Sequence, residues 1–141
     1  MPQLIKNGEL VDADGVEFLP LEQWREQTSA PLLLQVDDEP EVAFASAPAI
    51  AIDFSAFNDG RGLSLAVLLR TRIGFEGELR AVGDVHHDLA HYLVRCGFTS
   101  LLLPDGRDLD VALRGAGVYS RYYQPSAADP TPLERQLKAV A

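Results

Sequence analysis

The sequence holds a single cysteine, Cys96, in 141 residues. One thiol excludes an internal disulfide, a dithiol redox couple and any one-chain zinc or iron–sulfur site built from several cysteines. Long apolar runs are also missing. No stretch approaches the roughly 20 residues that a membrane-spanning helix needs, and residues 1–15 contain no signal-peptide apolar segment. A cytoplasmic protein with no membrane contact is expected. Bases are scarce as well: 12 Lys and Arg stand against 21 Asp and Glu, a formal net charge of −9. The imbalance sits at the front. Residues 1–45 hold 10 acids and 2 bases (net −8), whereas residues 46–141 hold 11 acids and 10 bases (net −1). Nucleic-acid binding needs clustered Lys and Arg, so it is not expected. The acidic front reads either as a solubilising surface or as a docking face for a basic partner protein.

What is present is an alternation of short apolar runs and helical patterns. Asn7-Gly8, between two short extended runs, predicts a β-hairpin over residues 3–11, because both turn residues tolerate positive φ. Pro20 to Gln27 reads as a short helix whose Trp24 packs on the core. Apolar runs at 32–36, 49–53, 78–82 and 101–103 read as strands. A weak helix over 40–45 and clear helices over 62–73, 85–96 and 109–114 separate or follow them. Gly97 stands where a left-handed helix cap is wanted. The expectation is one α/β domain over 1–125, a mostly parallel sheet built from βαβ units with an N-terminal hairpin. The segment 126–141 reads as a tail, either mobile or packed on a second copy in a homodimer.

Ligands in open parallel sheets bind beyond the C-terminal strand ends. Asp53 to Gly62, Gly83-Asp84 and Pro104-Asp105-Gly106 are expected there, with Asp37-Asp38 beside them. Asp59-Gly60-Arg61-Gly62 joins a strand to a helix. Glycines admit close backbone approach, a helix N-terminus offers free N–H groups, and an arginine can grip an oxyanion with two bonds. The same four residues also fit a helix cap, a turn and a local ion pair. Arg80, in a strand interior, needs a carboxylate, and Asp53 or Asp84 are the candidates. His87 and His91, four residues apart with His86, Asp84 and Asp88 nearby, have a spacing that can hold a divalent ion, but no third ligand is fixed and no metal is expected. Cys96, near a helix C-terminus, reads as a small buried apolar group. No catalytic residue can be named.

The segments Ile50-Ala-Ile-Asp-Phe54, Asp59-Gly-Arg-Gly62, Leu69-Arg70 and Gly77-Glu-Leu-Arg-Ala-Val-Gly-Asp84 belong together. With Asp88, Leu93, and Arg95-Cys-Gly-Phe98, they resemble the bacterial domain-of-unknown-function family nine-three-four. The resemblance extends over most of the chain up to about Leu103. The three histidines depart from the family pattern, as do Ser55 and Asn58. The motif positions that carry over are Asp53, Asp59, Gly60, Arg61, Gly62, Arg80, Gly83, Asp84, Asp88, Arg95 and Gly97. The resemblance implies an association with sulfite reduction and a partner such as sulfite reductase or another sulfate-assimilation enzyme. Three readings follow. The first is an accessory protein acting by protein or anion binding. The second is an enzyme or sensor that takes a sulfur oxyanion, nucleotide or flavin at the strand ends. The third is an ion-pair network of Asp59, Arg61, Arg80 and Arg95 with a structural role alone. No cofactor is expected, although flavin sites need no fixed motif and so stay open.

Overall fold

A computed structural model describes residues 2–123; the expected tail at 126–141 lies outside the described residues. The elements run β1 (Gln3–Lys6), β2 (Glu9–Val11), β3 (Leu19–Pro20), α1 (Leu21–Trp24), β4 (Leu32–Gln35), β5 (Ala49–Phe54), α2 (Gly60–Leu68), β6 (Glu78–Gly83), α3 (Ala90–Arg95), β7 (Ser100–Leu103) and α4 (Leu109–Tyr123). Short 3-10 turns cover Val42–Ser46 and His87–Leu89, and a π-helical turn, Leu69–Ile73, extends α2. The hairpin forms as expected, with Asn7 at φ 54° and Gly8 at φ 82°. Several boundaries differ from the pattern. The strand β3 was not visible in a two-residue run. The helix expected from Val85 starts later, because His86 is still extended (φ −99°, ψ 136°). The last helix runs past Arg114.

The strands form one sheet in the order β2-β1-β7-β6-β5-β4-β3. β3 to β7 are parallel, and β1 lies antiparallel to both β2 and β7. The parallel strands are laid down in strict sequence, each beside the last. Right-handed crossovers that always advance in one direction put every connecting helix on the same face. Accordingly one core unites Leu34, Ile52, Leu79 and Leu101 of the sheet with Trp24, Leu65, Leu93 and Ala112 of the helices. Trp24 is 1% exposed, donates its Nε1–H to the Ala30 carbonyl at 2.9 Å and meets Phe44 edge-on at 5.7 Å. No helix among the described residues is long and apolar enough to cross a membrane.

Among the described residues the opposite face has no helix. The hairpin and β3 sit at opposite edges of the sheet, so the connection between them must cross it. On a flat sheet the six inter-strand steps from β2 to β3 span about 29 Å, at about 4.8 Å each. From Val11 to Leu19 the chain can reach about 29 Å at most. Residues 12–18 therefore form a strap with little slack across the helix-free face. Its anchor is a row of facing side chains on adjacent strands: Lys6, Ser100, Arg80 and Ala51. Arg80 is 4% exposed. Its guanidinium donates to Asp14 of the strap (2.6 and 3.2 Å) and to Glu78 (2.8 Å), and it lies over the Phe18 ring at 5.2 Å. Lys6 reaches Glu78 at 3.1 Å, and the Ser100 hydroxyl donates to the same carboxylate at 2.8 Å. Burial alone would raise the Glu78 carboxyl, but the bonds from Ser100, Arg80 and Lys6 outweigh it and hold it below its usual range. Burial likewise weakens Arg80 as a base, and its bonds to Asp14 and Glu78 more than restore it.

A second arginine closes the opposite, N-terminal end of the strands. Arg70, in the π-helical turn, is 5% exposed and donates to three main-chain carbonyls: Gly97 (2.7 and 3.0 Å), Phe75 (3.0 Å) and Gly77 (2.8 Å). No carboxylate among the described residues pairs with it, and burial lowers its pKa to about 10. Gly97 has φ 115°, and a Cβ there would stand 2.7 Å from Arg70 Cγ. The turn before β6 and the turn before β7 are thus held by one side chain.

Two outcomes test these anchors. Removing the Arg70 guanidinium in Arg70→Met leaves three carbonyls without their donor and is expected to destabilise the protein by about 3 kcal/mol, read by urea unfolding. Asp14→Asn is expected to cost about 1 kcal/mol near neutral pH, a value reduced for the strap's partial exposure. The bond from Arg80 holds the Asp14 carboxyl at about 2 instead of 3.8. Its contribution is therefore complete above the higher value and disappears as the pH falls through the lower one. The stability gap between parent and variant should close over that acid interval, and a gap that stays constant would contradict the strap's anchor.

Candidate functional site

The C-terminal ends of β5, β6 and β7 lie side by side, and the loops that follow them form one rim. Gly83 ends β6 at φ 84°, and a Cβ there would fall 2.3 Å from Asp53 Oδ1 and 2.5 Å from the Phe54 carbonyl oxygen, so only glycine fits. The Asp84 N–H donates to that Phe54 carbonyl at 2.7 Å. The Asp84 carboxylate accepts the Phe57 N–H at 3.2 Å and pairs with Arg107. Arg107 in turn donates to the Val85 carbonyl at 3.2 Å and lies 5.8 Å from the Phe57 ring centre. One ion pair thereby links the loops after all three strands. Arg107 was not singled out from the sequence. The signal was present, since Asp-Gly-Arg occurs at 59–61 and again at 105–107, each time between a strand and a helix.

At the first of these tripeptides, Asp59 caps α2 by accepting the Arg61 N–H at 3.1 Å. The same carboxylate takes two bonds from the Arg61 guanidinium, at 2.7 and 3.0 Å. These bonds hold the Asp59 carboxyl below its usual range and raise Arg61. The two glycines differ. A Cβ on Gly62 would enter the Phe54 ring at 2.3 Å, whereas one on Gly60 would meet nothing within 4 Å. Gly62 lets the first turn of α2 rest on β5, and Gly60 is not required by packing.

The expected residues are therefore divided. Phe54 and the Asp59–Gly62 turn lie on the helix side of the sheet. Asp53 and Arg80 lie on the strap side, in adjacent rows. Arg80 pairs with Asp14 and Glu78, and neither Asp53 nor Asp84 is its partner. The Asp53 carboxylate makes no hydrogen bond or ion pair among the described residues; it stands half-buried between Gln35 and Val82 of the neighbouring strands. Arg95 is exposed at the end of α3. Asp59, Arg61, Arg80 and Arg95 thus form no single network. Cys96 is half-buried against the core, and burial raises its thiol pKa.

His86, His87 and Asp88 bring ligand atoms within 4.8 Å of one another; His91 is outside this group. The 3-10 turn at 87–89 breaks the helical spacing on which a His87–His91 pair depends. Hydrogen bonding also works against coordination. His86 Nδ1 accepts the Asp88 N–H and His87 Nδ1 accepts the Asp108 N–H, each at 3.0 Å. Each ring then carries its proton on Nε2, whereas a metal-bound imidazole donates from the nitrogen that is not coordinated. The rings instead pack on one another at a tilt, Phe57 with His86 at 4.8 Å and 43° and His86 with His87 at 4.2 Å and 35°. Neither feature selects a ligand.

Fold and rim together define a singly wound α/β protein with a strapped second face. The family model described as bacterial protein of unknown function (DUF934) matches residues 32–134, and the chain belongs to this family. No curated protein and no solved structure matches it. The matched region covers every motif position above, while the hairpin and the strap precede it.

The paired glycines give a direct check. Gly62→Ala must displace the Phe54 ring and is expected to destabilise by about 2 kcal/mol, while Gly60→Ala is neutral or slightly stabilising. Arg61→Ala is expected to leave the melting temperature almost unchanged. Equal losses for both glycine variants would refute the packing account.

Proposed function

We propose that the chain is a non-catalytic accessory protein of assimilatory sulfite reduction that acts by binding sulfite reductase or another sulfate-assimilation enzyme. The observation that carries this reading is the state of the arginines. Arg61, Arg80 and Arg107 are each engaged by a carboxylate of the chain itself, and Arg70 is engaged by carbonyls. Gripping an oxyanion at the strand ends would mean breaking one of these contacts. The unbalanced charge is instead the acidity of residues 1–45, which suits a basic protein surface. The sulfur pathway enters through the resemblance of the motif set.

The test mixes the purified chain with sulfite reductase. Co-elution in gel filtration at moderate salt and a changed rate of sulfite reduction are expected. Separate elution together with an unchanged rate would rule the reading out.

A further inference from the structure

The helix-free face is closed unevenly, and the gap carries a further inference that deepens the accessory reading and rests on it. The strap leaves β2 at Val11, opposite Leu4, and descends past Arg80 to join β3 at Leu19, opposite Leu32. Beyond it, at the C-terminal ends of β3 and β4, Gln35 is exposed and Leu33 and Asp53 are half-buried among the described residues. A groove of about 280 Å³ lies at this edge, between these strands and the first turn of α1, lined by Pro20, Leu21, Glu22, Gln23, Leu33, Gln35 and Asp38. Its floor is apolar, formed by Leu33 and Pro20, which are partners in the β3–β4 register. Its rim is acidic. Asp38 accepts the Gln35 N–H, and Asp53, without a partner, faces the groove's Gln35 from the next strand. No lysine or arginine lines it. Arg25 is bonded to Glu41 and also acts on Asp38 through space, and Arg80 is committed to Asp14 and Glu78.

We infer that this groove docks a basic segment of a partner protein, with an aliphatic side chain seated on Leu33 and Pro20 and flanking Lys or Arg on Glu22, Asp38 and Asp53. Charge complementarity selects this occupant. Nucleic acid and anionic lipid are repelled by the same carboxylates. A bare cation is disfavoured, since among the described residues the groove's carboxylates do not converge as metal ligands. Strand addition at this edge is blocked too, because β3 is two residues long and ends in Pro20, which has no N–H to donate. The segment must then lie across the face and be held by side chains.

The probe is a capped synthetic peptide with two central leucines flanked by lysines, titrated into the ¹⁵N-labelled full chain. Saturable amide shifts confined to residues 21–23, 33–38 and 53 are expected. Affinity should fall at least about threefold when salt rises from about 50 to about 300 mM. Glu22→Lys and Asp38→Asn should each weaken binding, whereas Glu9→Lys, at the opposite edge of the sheet, should not. Shifts scattered over the acidic surface, or equal weakening by Glu9→Lys, would overturn the site. The two proposals fail separately. A reductase complex that survives Glu22→Lys would place docking elsewhere. Saturable groove binding without any reductase complex would retain the surface and remove the sulfur partner.

Discussion

A parallel sheet whose strands are laid down in one direction has helices on one face only, and the other face must be closed by something else. Here that closure is a strap of seven residues fastened at Asp14 to Arg80. An arginine in the middle of a central strand is costly to bury, and its removal from water is offset only by complete bonding. Arg80 achieves this with one carboxylate from its own strand and one from the strap. The two demands meet each other: the arginine needs a second anion, and the strap needs a fixed point halfway across. Lys6 and Ser100 complete the row, so the hairpin, the central strands and the strap share one polar cluster.

Much of the family motif then becomes architecture. Gly62 admits the Phe54 ring, Gly83 admits the Asp53 carboxylate, and Gly97 admits the Arg70 side chain at a positive φ. Each glycine permits one close approach between elements that otherwise stand about a side chain apart. Arg70 and Arg107 do comparable work at opposite ends of the strands. The first gathers carbonyls with no counter-charge, and the second links three loops through Asp84. A motif made of such residues marks where elements touch.

The alternation of apolar runs and helical periods made the α/β class, the parallel strands and the hairpin legible, because these depend on local pattern. Asn7-Gly8 and Gly97 were legible for the same reason: their positive φ is written in residue type. The Arg80–Asp14 pair was not legible. Its partners are 66 residues apart, and the register that makes them neighbours exists only once the strand order is known. Asp53 and Asp84 were nearer in sequence and in topology, yet one lies a row above Arg80 and the other is taken by Arg107. The His87–His91 spacing presumed an α-helix, where the chain makes a 3-10 turn at 87–89. For the strand ends, topology placed Asp59–Gly62 and Gly83-Asp84 at the correct edge, but it could not say which face each side chain takes.

The division between faces also bears on where function can reside. Along the rim, Arg61 is matched by Asp59 and Arg107 by Asp84, and a ligand that takes either arginine competes with an internal partner at high effective concentration. On the strap side the balance differs. Asp14 is consumed by Arg80, which leaves the strap's own anchor neutral, but Asp53 has no partner among the described residues, and the charge near Asp38 is Arg25, itself bonded to Glu41. An unpaired carboxylate is stable at a half-buried strand end only because the face remains open to water, and the same openness makes it available. The one-sided winding that required a strap thus leaves, just past the strap, a strand-end carboxylate, Asp53, that no base among the described residues pairs with.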